Sequence, residues 1–197
     1  MKKRVRYKLS FFYINLLIVN TCIMKKSILI VISFPITLVL YILLFTGNIR
    51  YNEEIVINAH IDTVSSLFNN PYNMQEYMNG IESYTVLSGN IREVGTKAEI
   101  IVAYIEKDVV KRRIIMIEEI ITNNLPEEKK VTYKTDGVYN IVTSRLVKIS
   151  ENQTNFITEQ EFNFRGYMKI MGFFIPSAFK KQSRVYLQNF KEFVENR

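Results

Sequence analysis

Thr154-Asn-Phe-Ile-Thr-Glu-Gln-Glu-Phe-Asn-Phe164 has a period of two. Phe156, Thr158, Gln160, Phe162 and Phe164 fall on one face, and Asn155, Glu159, Glu161 and Asn163 on the other. Successive side chains of an extended strand point to opposite faces, so one apolar and one polar face mark a half-buried strand of an antiparallel sheet. The same pattern recurs upstream. Over Lys97–Tyr104, Ala98, Ile100, Val102 and Tyr104 oppose Lys97 and Glu99; over Lys129–Thr135, Val131 and Tyr133 oppose Lys130, Thr132 and Lys134. Glu53–Asn58, Glu82–Leu87, Val109–Thr122 and Val138–Ile149 are further β-rich runs. Asn123-Asn124-Leu125-Pro126, Asp136-Gly137 and Glu151-Asn152 supply the turns between them, and Asp136-Gly137 is the signal of a tight hairpin.

Two helical regions interrupt the strands. Asp62–Asn69 carries Val64, Leu67 and Phe68 at helical spacing, with Asp62 placed to cap its first turn. The C-terminal region, about Met168–Asn196, is long, and Pro176 kinks or divides it. Beyond Pro176 an apolar stripe through Val185, Phe190, Phe193 and Val194 suits a helix lying against a sheet.

The order of strand, short helices, consecutive antiparallel strands and one closing helix resembles the helix-grip fold of the START / Bet v 1-like (SRPBCC, polyketide cyclase/dehydrase-like) superfamily. Ile55-Val56-Ile57-Asn58-Ala59-His60-Ile61-Asp62-Thr63-Val64 resembles that family's opening strand and Ala-Pro entry, with His60 where Pro is usual. Tyr72-Asn73-Met74-Gln75-Glu76-Tyr77-Met78 is similar to its following segment, with Tyr77 for the common Trp. Ile81–Gly89, then Val94-Gly95-Thr96, and finally Phe162-Asn163-Phe164-Arg165-Gly166 with Leu187-Gln188-Asn189-Phe190-Lys191 complete the likeness over Glu53–Glu195. The resemblance implies an α+β domain: a curved seven-stranded antiparallel sheet around a long C-terminal helix, with a hydrophobic cavity between them. Members bind lipids, sterols, polyketides or other apolar molecules, a minority catalyse cyclisation or dehydration, and others bind proteins, so fold alone does not settle function.

The N-terminal part reads differently. Ser27–Ile49 (SILIVISFPITLVLYILLFTGNI) is an uncharged run between Lys25-Lys26 and Arg50, long enough against the roughly 20 residues of a membrane-spanning helix. Pro35 inside it is tolerated in membrane helices. Residues 1–50 carry eight basic and no acidic residues; residues 51–197 carry 18 basic and 19 acidic. The basic balance therefore belongs to the leader, residues 1–26, and gives no support for nucleic-acid binding. Lysines and arginines beside a span stay cytoplasmic, which predicts a single-pass protein with its N-terminus inside and residues 51–197 on the outer face. Leu9–Met24 is short and polar for a second span, and a hairpin of two spans would leave Lys25-Lys26 outside, against that rule. A start at Met24 gives a charged segment and a long apolar one. That apolar stretch exceeds the roughly 7–15 residues of a signal peptide and no small-x-small cleavage site follows, so the segment reads as an uncleaved anchor. Cys22 lies in the leader, so no disulfide holds the domain, and a cysteine-free domain suits either side of a membrane.

Candidate ligand-binding residues are Tyr133, Thr158, Gln160, Phe162, Met171 and Phe174. Thr158 and Gln160 are polar hooks on an apolar face, the recipe for orienting a small apolar ligand. They equally suit bonds to backbone or water, and Tyr133, Met171 and Phe174 equally suit a structural core. His60 is the only histidine and reads as a surface or capping residue at a strand-to-helix turn. One histidine and no domain cysteine argue against zinc, and no cofactor is implied. Glu53-Glu54, Glu118-Glu119 and Glu127-Glu128 are adjacent pairs whose members point to opposite faces of a strand. They read as solvated charges rather than catalytic dyads. There is no Gly-rich phosphate loop and no G-x-S-x-G elbow. Lys111-Arg112-Arg113 and Lys180-Lys181 with Arg184 read as solvated charge or as contacts to anionic head groups. Three functions remain open: an anchored binding protein for a lipid or other apolar small molecule, a cyclase/dehydratase-type enzyme, and an interaction module whose 13 phenylalanines and 12 tyrosines fill the cavity.

Overall fold

The computed structural model describes residues 31, 33–106 and 109–197. The basic leader, the Leu9–Met24 stretch, Cys22 and the start of the apolar run lie outside these. The described part divides into two compact units, up to Phe45 and from Thr46 onward. In the first, residues 33–45 form a helix, α1. Among the described residues no helix is long and apolar enough to cross a membrane.

The second unit contains strands β1 (Asn48–Ile57), β2 (Ile81–Ser88), β3 (Lys97–Glu106), β4 (Val109–Asn124), β5 (Glu128–Thr135), β6 (Val138–Ser150) and β7 (Gln153–Phe164). They form one antiparallel sheet in the order β1-β7-β6-β5-β4-β3-β2. The helices are α2 (Ile61–Asn69), α3 (Met74–Tyr77), α4 (Met168–Phe174) and α5 (Pro176–Glu195), with a 3-10 turn over Pro71–Asn73. Strand β1 begins at Asn48, inside the run expected to cross the membrane, because Asn48 and Ile49 already pair with Asn163 and Phe162 of β7. The β5–β6 hairpin closes on Asp136-Gly137, with Thr135 paired to Val138 and Gly137 at φ 72°. Register shifts at Val86/Ser88, Tyr104/Ile105, Ile120/Thr122 and Lys148/Ser150 insert irregularities that curl the sheet.

Pro176 divides the C-terminal region into α4 and α5, as its missing N–H requires. Leu187, Phe190 and Val194, at helical spacing, are the buried stripe of α5. Phe190 is the hub: its ring lies 4.9 Å from Tyr77, 5.4 Å from Phe156 and 5.6 Å from Phe68, tying α5 to α3, β7 and α2. Ion pairing adds a second tie, since Arg184 Nε donates to Glu53 Oε2 at 2.7 Å from α5 to β1. Helix α2 is capped by His60, whose Nδ1 accepts from the Asp62 amide at 3.3 Å, so the cap is His60 rather than Asp62.

Helix α4 packs through Gly172. A side chain there would meet Phe164 Cδ2 at 2.6 Å, and Phe164 is itself buried with no room to give. Alanine normally favours a helix over glycine by about 1 kcal/mol. Here overpacking opposes that preference, and Gly172→Ala is expected to lower the unfolding free energy by about 1–3 kcal/mol in a denaturant titration. A neutral or stabilising result would contradict the α4–β7 packing. Phe190→Ala in the same assay is expected to cost about 3–5 kcal/mol.

Candidate functional site

Strand pairing places Glu118 of β4 opposite Tyr133 of β5, Tyr133 opposite Asn140 of β6, and Asn140 opposite Phe162 of β7. These residues share one row across the inner, helix-facing side of the sheet. Gln160 lies beside the row, and Asn140 Nδ2 donates to Gln160 Oε1 at 2.8 Å. Thr158, opposite Ser144, sits one step further along β7. Thr158 Oγ1 and Asn140 Oδ1 are buried with no hydrogen-bond partner among the described residues. A buried polar atom without a partner costs about 1–3 kcal/mol, so such atoms are rare unless something else satisfies them.

The two ends of the inner face differ. Ile57, Ile120, Val131, Leu146 and Phe156 are buried beneath α2, α3 and the end of α5. Toward the β5–β6 turn, Val102, Met116, Tyr133, Asn140, Val142 and Gln160 keep partial exposure although they face inward. The inner face is more deeply buried at the α2–α3 end than toward the β5–β6 turn.

At the middle of this face is a charged cluster. Glu118 is only 5 % exposed and accepts a hydrogen bond from the Tyr84 hydroxyl at 2.8 Å. Tyr133 sits opposite Glu118 on the neighbouring strand, within reach of its charge. Burial pushes the phenols of Tyr77, Tyr84 and Tyr133 well above the ordinary tyrosine range, and the negative charge of Glu118 pushes all three further. Lys129, also buried, lies on the same face, opposite Ser144. Its Nζ is 3.2 Å from Asn69 Oδ1 and 5.2 Å from the centre of the Phe68 ring. Burial pulls its ammonium below the usual lysine range, while Glu118 acts in the opposite sense and Arg92 adds to the lowering. The arrangement combines a buried carboxylate, three phenols held neutral and a desolvated lysine.

The structure thus brings Tyr133, Thr158, Gln160 and Phe162 onto one face. Met171 and Phe174 are not with them. They are 45 % and 60 % exposed, because α4 turns Gly172 toward Phe164 and so turns these side chains outward. Glu118 corrects the expectation of solvated acidic pairs. The opposite-face rule holds for Glu118-Glu119, but it sends Glu118 inward, and the signal was available in the continuation of the β4 period through Met116 and Ile120. The basic clusters are partly engaged: Arg113 donates to Glu82 at 2.7 Å, and Lys180 and Arg184 pair with Glu53. An open groove of about 420 Å3 lies elsewhere, between Glu76, Asn79, Asn189, Glu192, Phe193 and Arg197 at the end of α5. Its polar, solvent-open walls hold none of the inner-face residues.

Neutral phenols are the form this fold favours. Their contribution to stability is therefore intact below the ordinary tyrosine value of about 10 and is lost as pH rises through the raised values. In an ultraviolet titration, Tyr77, Tyr84 and Tyr133 are expected to stay protonated above that value and to ionise only as the protein unfolds. In Glu118→Gln, which keeps an acceptor for Tyr84 but removes the charge, the lagging fraction is expected to ionise at lower pH. An unchanged titration would show that the carboxylate does not act on these phenols.

Neither a family model nor a curated protein matches the chain. Solved structures do. The Zhui aromatase/cyclase from Streptomyces sp. R1128 aligns with a TM-score of 0.62 at 11% identity, over 76% of this chain and 95% of that one. A conserved protein from Geobacillus kaustophilus gives 0.62 at 15%, over 75% and 96%. Truncated norcoclaurine synthase from Thalictrum flavum gives 0.59 at 15%, over 77% and 96%. These alignments run over almost the whole length of the three proteins, and they show that this chain, a seven-stranded curled sheet with a closing helix, shares their helix-grip fold.

Proposed function

We propose that this protein is a membrane-anchored binding protein that takes up a lipid or other apolar small molecule on the inner face of its sheet. One observation carries the reading: the less buried part of the inner face sets apolar side chains around two buried polar atoms, Thr158 Oγ1 and Asn140 Oδ1, that have no hydrogen-bond partner among the described residues. An apolar molecule with one or two polar groups complements such a surface. Tyr133, Gln160 and Phe162 complete the lining; Met171 and Phe174 do not belong to it. The neighbouring fold supports the ligand class, norcoclaurine synthase having been crystallised with dopamine and hydroxybenzaldehyde.

The anchor is the uncharged run from Ser27, and the eight basic residues of the first 50 favour a cytoplasmic N-terminus with the sheet domain on the outer face. A binding face tethered at a bilayer meets lipophilic molecules at raised local concentration.

A second reading is catalytic. Glu118, Lys129 and the three phenols form a buried titratable cluster of the kind active sites use, and neighbours of this fold include an aromatase/cyclase and a synthase. Such an enzyme would act on the same bound molecule.

Native mass spectrometry of the full chain, released gently from detergent, tests the binding reading. A retained apolar adduct is expected. Gln160→Leu and Thr158→Val are expected to weaken its retention by about one order of magnitude each, the value of one hydrogen bond at about 1.5 kcal/mol. A clean unliganded mass, with no uptake of a fluorescent lipid, would sink this reading in favour of a side-chain-filled interaction module. If the adduct is converted, and Glu118→Gln or Lys129→Met stops conversion without releasing it, the catalytic reading replaces the first.

A further inference from the structure

Helix α4 and its flanks expose Tyr167, Met171, Phe173, Phe174 and Ile175 together, at the β5–β6-turn end of the sheet domain. We propose that this end docks on an anionic lipid bilayer, with α4 lying in the head-group layer and Met171, Phe173, Phe174 and Ile175 reaching the acyl chains. The proposal rests on the anchored part of the reading above, not on the ligand.

Three observations carry it. The first is exposure: large apolar side chains left together at the surface mark an interaction site, and Phe173, Phe174 and Ile175 are consecutive. The second is connectivity. The Phe164 amide donates to the Gly47 carbonyl at 2.6 Å, so the chain enters β1 beside the point where it leaves β7 for α4. The uncharged run from Ser27 ends within a few residues of Gly47, and whatever part of it enters a bilayer delivers that bilayer to this end of the domain. The third is charge. From Phe162 to Lys191 there are six basic residues and no acidic one. Of these, Arg165 and Lys181 are exposed, and Lys111 and Arg112 are exposed on β4 close to the β3–β4 turn, at the same end. Apart from exposed Asp136 in the adjoining turn, the charges flanking these aromatic and aliphatic side chains are basic, the composition of an interfacial membrane helix, and Tyr167 has the amphipathic ring favoured at head-group depth.

Docking in this pose has a functional result. The partly exposed inner-face residues Tyr133, Asn140 and Gln160 lie toward the same end, so docking sets them near the lipid surface.

The chain contains no tryptophan, so an introduced one reports alone. The full chain carrying Phe174→Trp would be added to vesicles of mixed zwitterionic and anionic phospholipid, with and without brominated acyl chains. Val94→Trp, exposed on the β2–β3 turn at the opposite end, is the reference. The expected result is a blue-shifted Phe174→Trp emission quenched at least threefold more by brominated lipid than that of Val94→Trp, with the difference reduced in purely zwitterionic vesicles. Equal quenching of the two variants, or no vesicle binding at all, overturns the proposal. So does a blue shift without bromine quenching in a chain that self-associates, which would assign the patch to a second copy. Adduct retention in native mass spectrometry is a separate readout, so docking and ligand binding can fail independently.

Discussion

The pairing of the first strand with the last organises this domain. Antiparallel register from Asn48↔Asn163 to Ile57↔Thr154 stitches the N-terminal strand to the C-terminal one, and two properties follow from it. It makes β7 an interior strand, so its period-two pattern must serve one buried and one exposed face along its full length. It also forces the chain to enter β1 and to leave β7 at the same end. The other end is then left to α2, α3 and the final turns of α5, whose aromatic cluster around Phe190 seals it.

Between the two ends lies the polar row. Burying Glu118 costs solvation energy, and the structure offsets that cost with the Tyr84 hydrogen bond and the nearby positive charge of Lys129. A carboxylate placed only for stability would be better replaced by an apolar residue of similar size. Its place in the middle of the same inner face that carries Thr158 and Asn140 gives this surface directional character that an apolar core lacks. The sequence tolerates the local conflict because the neighbouring positions Met116 and Ile120 continue the apolar period.

Most of the fold was legible in the residues. The alternation in Thr154–Phe164, the Asp136-Gly137 turn and the break at Pro176 each state a local rule that the tertiary structure obeys. Strand β1 was legible only in part, because Asn48 and Ile49 continue an apolar run and only their pairing with β7 makes them strand. The inward orientation of Tyr133, Thr158, Gln160 and Phe162 was legible from periodicity. Glu118 was legible only through the apolar period of Met116 and Ile120, since adjacent acidic residues by themselves look solvated. Met171 and Phe174 were misplaced for a related reason: a seven-residue helix takes its rotation from its tightest contact, here Gly172 on Phe164, and apolar content alone does not reveal it.

The long reach of the β1–β7 pairing also sets a timetable. Asn155 bonds Glu54, 101 positions earlier in the chain, so the strand that leaves the ribosome first must wait for nearly the whole domain before it finds its neighbour. Contacts of such sequence separation form late and slowly. Until β7 arrives, the β2–β6 meander has an open edge at β6 and β1 has no partner strand.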